Sequence, residues 1–273
     1  MRAALLQLTA SDDPAANLPV TLDLLAEAAG QGAQFVATPE VTNIVSLSKD
    51  RQSAVLRAED QDVTLAALRR AAEAHKIWLL IGSLALRGQD RFANRSFLVA
   101  PDGNITARYD KIHMFDVSID AQEHYNESAR YAPGDQAVVA DSPLGRIGMM
   151  VCYDMRFPAL SSALVAAGAT VLTYPSAFSP VTGAAHWHSL LRARAIENGA
   201  LVIAPAQTGT HPATTGKARE TYGHSLVVNP WGDIVLDAGT APGAYLFDFD
   251  PAAAAQARAR IPALANARSF DGP

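Results

Sequence analysis

Short apolar runs alternate with segments of helical periodicity along almost the whole chain, and this alternation constrains the fold more than any other feature. Apolar runs bounded by glycine, proline or polar residues predict strands. Such runs occupy residues 3–8, 35–37, 77–81, 95–100, 105–109, 146–152, 170–174, 201–205, 225–228, 234–237 and 244–249. Helical spacing predicts helices at residues 14–29, 63–75, 159–167, 184–198 and 251–261. Helices interleaved with strands are typical of an α/β fold.

The domain organisation is predicted from the uniformity of the sequence. No fixed-period repeat, low-complexity linker or composition shift divides the 273 residues, so we expect a single domain over residues 1–273. We expect Gly82 to end the strand at residues 77–81. Residues 115–135 have weak periodicity and many polar side chains, which predicts a long loop. Long loops in compact domains often carry function.

Composition and charge exclude several classes of function. The formal net charge is −5 at pH 7 and no basic run is present, so a nucleic-acid partner is not expected. No stretch of about 20 apolar residues predicts a membrane span. The first residues lack the pattern of a signal peptide, and one cysteine cannot form an intrachain disulfide. These features lead us to expect a cytoplasmic protein whose partner is a small molecule.

Cys152 stands where an apolar strand turns into a helix that begins near Pro158. Proline suits the first turn of a helix. A cysteine on such a turn lies at the carboxyl edge of the sheet, where open α/β sheets place their sites. Backbone N–H groups at that edge can stabilise an oxyanion. The alternative is that a lone cysteine is simply a small buried hydrophobe.

Glu40 and Lys111 each follow a predicted strand. Glu40 could act as a general base if burial raises its pKa toward neutral, and the alternative is an exposed loop carboxylate. Lys111 could lower the pKa of a thiol or hold the negative oxygen of a tetrahedral intermediate. The alternative for Lys111 is an ordinary solvated lysine. A metal site at His186 and His188 is a poor hypothesis, because residues i and i+2 of a helix do not face each other.

Three motifs at these positions resemble the nitrilase, or carbon–nitrogen hydrolase, superfamily. They are Pro-Glu at 39–40, Asp-Lys-Ile-His at 110–113 and Cys-Tyr-Asp-Met-Arg-Phe-Pro at 152–158. The spacings of 71 and 41 residues between the glutamate, lysine and cysteine are also similar. The resemblance continues through segments 182–187, 191–198, 222–225, 228–232 and 260–262. It implies a four-layer αββα sandwich that pairs with a second subunit into an eight-layer dimer.

The resemblance also implies a role for each motif residue, without metal or cofactor. Cys152 would be the nucleophile and Glu40 the general base. Lys111 and the backbone N–H of Tyr153 would stabilise the tetrahedral intermediate. Glu127 matches a second glutamate of the family, which helps to position the substrate. The reaction would be hydrolysis of an amide through a thioester, with release of ammonia.

Within the superfamily, the chain is most similar to the deaminated-glutathione amidases and the ω-amidases. This similarity implies a substrate with carboxylates, for which Arg156, Thr182 and His186 are the candidate contacts. Arg156 could equally pair with an internal acid. An N-carbamoyl hydrolase, a true nitrilase and a catalytically silent scaffold stay open as alternatives. One position departs from the pattern, since His188 stands where the relatives usually have a glutamate.

Overall fold

The computed structural model describes residues 1–119 and 123–272, and it combines helices with strands throughout. The α-helices are α1 Pro14–Gly30, α2 Lys49–Val55, α3 Val63–His75, α4 Pro158–Ala166, α5 Pro180–Asn198, α6 Ala253–Arg260 and α7 Ala263–Asn266. The strands up to the middle of the chain are β1 Arg2–Gln7, β2 Phe35–Ala37, β3 Trp78–Arg87, β4 Phe92–Val99, β5 Ile105–Asp110, β6 Asp116–Ser118, β7 His124–Asn126 and β8 Val138–Ser142. The later strands are β9 Gly145–Met149, β10 Val171–Thr173, β11 Leu201–Ala204, β12 Thr208–His211, β13 Arg219–Tyr222, β14 Leu226–Val228, β15 Ile234–Asp237 and β16 Gly243–Asp248.

Twelve of the strands form two six-stranded sheets of similar design. The first has the order β16-β1-β2-β3-β4-β5 and the second has the order β15-β14-β11-β10-β9-β8. Three parallel strands lie together in each sheet, β1–β2–β3 in the first and β9–β10–β11 in the second. Antiparallel strands complete both sheets. The carboxyl ends of β2, β5 and β9 carry the segments in which the candidate site residues lie.

Alternate residues of the first sheet face two different apolar clusters. Ala4, Leu6 and Val36 pack with Leu25 of α1 and with Leu68 of α3. The neighbouring positions on the opposite face pack against residues of the second sheet. The second sheet is covered in turn by α4 and α5, whose Leu164, Trp187 and Leu191 belong to the same cluster. The layers are therefore helix, sheet, sheet and helix, which confirms the four-layer αββα sandwich.

Most predicted strands and helices are present, but Gly82 does not end its strand. β3 continues to Arg87, with a register shift between Ile81 and Leu84. A Cβ atom at Gly82 would lie 1.9 Å from the carbonyl oxygen of Thr38. Glycine is therefore present because the backbone of another segment approaches closely, and the strand passes through it.

Two further boundaries differ from the sequence prediction. β9 ends at Met149, and residues 152–156 form a 3-10 helix, so Cys152 lies beyond the strand. The segment at 115–135 is only partly a loop, because β6 and β7 pair as an antiparallel hairpin. Residues 120–122 of that segment lie outside the described residues. Three-residue strands with alternating exposed side chains give too weak a periodicity to be found from sequence.

The hairpin of β12 and β13 was not predicted from the sequence. A buried histidine on β12 connects it to the segment that follows β1. Nδ1 of His211 lies 2.7 Å from the carbonyl oxygen of Ala10, and Nε2 lies 2.7 Å from Oγ1 of Thr221. His211 is 1% exposed. Burial, assisted by the nearby guanidinium of Arg219, lowers the pKa of His211 from 6.5 to about 4. The imidazole is therefore neutral in the folded protein.

We expect protonation of His211 to destabilise the protein below neutral pH. The unfolded chain binds this proton near pH 6.5 and the folded protein only near pH 4, so its contribution to stability is lost as the pH falls through this window. Over that window the loss should be roughly 3 kcal/mol. Urea unfolding of wild type and His211→Gln at pH 7.5 and at pH 4 measures this loss of unfolding free energy. The variant should lose less unfolding free energy than wild type between the two pH values, and equal losses would contradict the expectation.

Candidate active site

A cavity opens at the carboxyl ends of the strands. Cys152, Glu40, Lys111 and Glu127 all line it, although up to 112 residues of sequence separate them. Cys152 is 6% exposed, Glu40 is 5% exposed and Lys111 is 2% exposed. The structure thus brings together the four residues that the sequence selected for chemistry, in a largely buried place.

The backbone at Cys152 is held in an unusual conformation. Its φ is 51°, in the left-handed region that non-glycine residues rarely adopt. Its N–H donates to the carbonyl oxygen of Pro175 at 3.0 Å. Val41, directly after Glu40, has a φ of 47°, which is rarer still for a β-branched residue. Such strain persists only where the surroundings enforce it, and it clusters at functional sites.

Asp154 joins the turn at Cys152 to the segment that carries Lys111. Its carboxylate is fully buried and accepts hydrogen bonds from the N–H of Val151 at 2.9 Å and from the hydroxyl of Tyr109 at 2.7 Å. It also accepts the N–H of His113 at 3.0 Å, and its Oδ1 lies 2.7 Å from Nδ1 of that imidazole. Because these partners flank both residues, Asp154 fixes the distance between the thiol and the ammonium.

Glu40 makes contacts through both carboxylate oxygens. Oε1 accepts from Nζ of Lys111 at 3.0 Å and from Nδ2 of Asn94 at 2.9 Å. Oε2 accepts from the N–H of Ala177 at 2.8 Å. The thiol of Cys152 lies near the same carboxylate and interacts with it electrostatically. Glu40 is therefore in a position to take the thiol proton.

Lys111 lies between two carboxylates. Its Nζ is 3.0 Å from Oε1 of Glu40 and 2.8 Å from Oε2 of Glu127. Glu127 Oε2 in turn accepts the N–H of Phe115 at 2.7 Å. Burial alone would lower the pKa of Lys111, but the charges of Glu127 and Glu40 raise it well above its usual value. The residue is a fixed cation beside the thiol.

The pKa of Glu40 lies below its usual value, which contradicts the expectation that burial raises it toward neutral. Burial does raise this pKa, but the charges of Lys111 and Arg219 and the hydrogen bonds outweigh burial. Lys111 lowers the pKa of the thiol, as expected, but burial and the charge of Glu40 outweigh it and raise the pKa of Cys152 overall. The resting state is consequently a neutral thiol near a carboxylate that is ready to accept its proton.

The candidate substrate contacts Arg156, Thr182 and His186 lie outside the set of described residues that line the cavity. Nη2 of Arg156 lies 3.2 Å from Nδ1 of His186, near the surface. The guanidinium of Arg156 also lies 5.4 Å from the ring centre of Phe178, which is a cavity residue. The hydroxyl of Thr182 is buried and lacks a hydrogen-bond partner among the described residues. Their roles in substrate binding remain predictions.

His188 faces away from His186 and joins a different group. Its Nε2 is 2.9 Å from Oδ2 of Asp237, and Nδ1 of His224 is 2.9 Å from Oδ1 of the same aspartate. The ligand atoms of these three residues lie within 4.8 Å of one another, so the group has the composition of a metal site. The two imidazoles already satisfy both carboxylate oxygens. We therefore interpret the group as a link between α5 and the β14–β15 hairpin.

Three polar residues of the cavity were not found from the sequence. Asn94 donates to both Glu40 and Glu127, at 2.9 and 3.3 Å. Arg130 and Arg219 contribute two further positive charges to the lining. Asn94 lies one residue before the predicted strand at 95–100, and neither arginine was selected for chemistry from the sequence. Only the three-dimensional structure places them beside the thiol.

Comparison with known proteins gives one consistent set of matches. A model of the carbon–nitrogen hydrolase family matches residues 2–259. The chain is 41% identical to the deaminated glutathione amidase of Yersinia enterocolitica over 236 residues, which are 85% of this chain and 80% of that one. A protein of the same name from Synechocystis is 37% identical over 267 residues, 96% of each chain. The crystal structure of the C. elegans NitFhit protein superposes with a TM-score of 0.89 at 33% identity, over 98% of this chain and 65% of that longer one.

Proposed function

The chain belongs to the carbon–nitrogen hydrolase family, and we propose that it hydrolyses its amide substrate through Cys152, Glu40, Lys111 and Glu127. One observation carries the proposal. The only cysteine of the chain lies in one cavity with a buried, ionised carboxylate that is itself paired with a buried ammonium. This is the arrangement of nucleophile, base and charge stabiliser that covalent acyl transfer requires.

The first half-reaction forms a thioester. Glu40 takes the thiol proton as the sulfur attacks the amide carbon, and the carbonyl electron pair moves to oxygen. Lys111 Nζ and the N–H of Tyr153 stabilise the negative oxygen; N–H groups in the first turn of a helix have no intrahelical acceptor. The oxyanion then collapses, the carbon–nitrogen bond breaks, and the proton on Glu40 passes to the leaving amine. Glu127 holds Lys111 in place.

The second half-reaction releases the acid. Glu40, ionised again, takes a proton from a water molecule while the oxygen of that water attacks the thioester carbon. The second tetrahedral intermediate collapses, the carbon–sulfur bond breaks, and the sulfur recovers the proton from Glu40. Each half-reaction therefore uses the same base and the same oxyanion contacts, and the enzyme returns to its starting protonation state.

We propose deaminated glutathione as the substrate, supported by the names of the relatives from Yersinia enterocolitica and Synechocystis. In this tripeptide a 2-oxo acid replaces the amino acid end of glutathione, and the side-chain amide joins it to cysteinylglycine. Hydrolysis of that amide gives 2-oxoglutarate and cysteinylglycine. The sequence-based expectation of ammonia as product thus applies only to primary amides such as 2-oxoglutaramate.

The proposed function is tested by comparing four compounds with the purified protein. Release of 2-oxoglutarate is measured from deaminated glutathione and 2-oxoglutaramate, and release of ammonia from an N-carbamoyl amino acid and a simple nitrile. We expect the highest kcat/KM for deaminated glutathione. A higher kcat/KM for another compound would make that compound the substrate and leave the thiol mechanism unchanged. If no compound is hydrolysed, the catalytically silent scaffold is favoured.

Other expectations from the sequence belong to the same proposal. They are the single domain over residues 1–273, the homodimer, the cytoplasmic location and catalysis without metal or cofactor. In the described ranges 1–119 and 123–272, the structure has no helix with the length and apolar character needed to cross a bilayer.

A further inference from the structure

The charged residues of the cavity are not balanced within it. Lys111 is paired with Glu40 and Glu127, which are the two acidic residues of the lining. Arg130 and Arg219 line the same cavity, and neither forms an ion pair with any carboxylate in the described part of the chain. With three cationic side chains against two carboxylates, the lining carries one net positive charge, and neither guanidinium is held in an ion pair.

Arg219 is held in position, but only one of its guanidinium nitrogens donates a hydrogen bond to the described residues. Its Nη2 donates to the carbonyl oxygen of Ala177 at 2.6 Å, and its guanidinium lies 5.6 Å from the ring centre of Tyr125. Its Nε is buried and has no hydrogen-bond partner among the described residues. A buried N–H without an acceptor is unfavourable, and each such group calls for an explanation. The Nη1 group, by contrast, is not buried and makes no hydrogen bond to the described residues, so it is the donor that a substrate oxygen can reach.

Arg219 also lies close to the reacting groups. The same Ala177 whose carbonyl accepts from Arg219 donates its N–H to Oε2 of Glu40 at 2.8 Å. One residue thus separates the guanidinium from the carboxylate that receives the thiol proton. A group bound by Arg219 therefore belongs to the same molecule as the amide that Cys152 attacks.

Arg130 is anchored by a different part of the chain. Its Nη1 donates to the carbonyl oxygen of Leu47 at 3.1 Å and to Oε1 of Gln52 at 3.3 Å. Its Nε and Nη2 make no hydrogen bond to the described residues. Guanidinium groups bind carboxylates through two parallel N–H donors, so a guanidinium with free donors in a cavity is suited to that ligand.

We propose that Arg219 and Arg130 each bind one carboxylate of the substrate, so that the enzyme selects amides carrying a carboxylate on both sides of the scissile bond. This inference rests on the proposed function and refines it. Deaminated glutathione has one carboxylate on the acyl part and one on the amine part. 2-Oxoglutaramate has only the first. Two separate arginine sites therefore explain a preference for the larger molecule.

The kinetic test uses Arg219→Gln, Arg130→Gln and Arg219→Lys. Either Gln variant should raise KM for deaminated glutathione at least about tenfold, with a smaller change in kcat. Only one of the two should raise KM for 2-oxoglutaramate, and Arg219→Lys should recover part of the loss. Equal effects of both variants on 2-oxoglutaramate would overturn the two-site assignment. If Arg219→Gln shifts the pH profile equally for both substrates and leaves KM unchanged, Arg219 acts through Glu40. That result would overturn its role in binding.

Arg69→Gln is the matched control. Its Nε also donates to a backbone carbonyl oxygen, that of Gly103 at 2.8 Å, and it lies on α3 outside the cavity lining. Its kinetic constants should equal those of wild type.

A binding measurement separates this inference from the proposed function. Calorimetry with Cys152→Ala protein measures the Kd of intact deaminated glutathione without turnover. Adding Arg219→Gln or Arg130→Gln should weaken binding at least about tenfold. If wild type hydrolyses nothing but this binding depends on both arginines, the carboxylate sites stand and the proposed function fails. If turnover is present and the arginine variants bind as tightly as Cys152→Ala alone, the carboxylate sites fail.

Discussion

Replacing Cys152 with alanine should reduce release of 2-oxoglutarate from deaminated glutathione to the uncatalysed background. The thioester cannot form without the sulfur, and the chain contains no second cysteine. The fold should persist, because the change removes one buried atom and costs on the order of 1 kcal/mol. Turnover is measured together with the thermal unfolding midpoint, so that loss of activity is not mistaken for unfolding.

Cys152→Ser is the matched control for this experiment, since a hydroxyl keeps the approximate shape of the thiol and a proton that Glu40 can accept. The alkoxide is much harder to form than the thiolate, so the serine variant should also be strongly impaired. Turnover at the wild-type rate by a folded Cys152→Ala protein would end the assignment of the nucleophile.

Replacing Glu40 with glutamine should lower kcat/KM at least about a hundredfold, the usual contribution of a general base. A neutral amide cannot take the thiol proton, and the raised pKa of Cys152 leaves little thiolate to react unaided. Lys111 keeps Glu127 as its counter-charge, so the buried ammonium is not left unpaired. The measurement is kcat/KM of the folded variant, with the exposed Glu73→Gln on α3 as a control expected to match wild type.

The pH dependence of kcat/KM of wild type tests the role of Glu40 independently. Because the charges of Lys111 and Arg219 hold the pKa of Glu40 below its usual value, the base stays ionised down to the pH range below the ordinary pKa of a glutamate. The acid limb caused by Glu40 should lie in that range, and not near neutral pH. A near-wild-type rate for Glu40→Gln would remove the residue from this role.

The placement of Glu40 and Cys152 at strand ends could be predicted from local pattern, and the roles of the chemical groups from the resemblance to the carbon–nitrogen hydrolases. Glu40 and Cys152 follow short apolar strands, and the carboxyl ends of such strands meet at one edge of a sheet. The protonation states could not be predicted in the same way. The pKa of Glu40 depends on Lys111 and Arg219, which lie 71 and 179 residues away in the sequence. Only the folded chain determines whether burial or these charges prevail.

Arg219, in the wall of the cavity, also could not be predicted from the sequence. Arg219 is carried by a four-residue strand in a polar hairpin, whose pattern gives no sign of a sheet. Its importance arises from its contact with Ala177 and from its place in the cavity lining, and neither is visible in the sequence. Gly82 illustrates the converse error, because a glycine that usually ends a strand is here required by the neighbouring backbone of Thr38.

The acyl-enzyme is the central claim, and mass spectrometry of the protein quenched in acid during turnover tests it most directly. We expect the peptide containing Cys152 to gain the mass of the acyl part of the substrate, and we expect the adduct to be absent from Cys152→Ala. Product formation at the wild-type rate with no adduct on Cys152, or with the acyl group on another residue, would contradict the account.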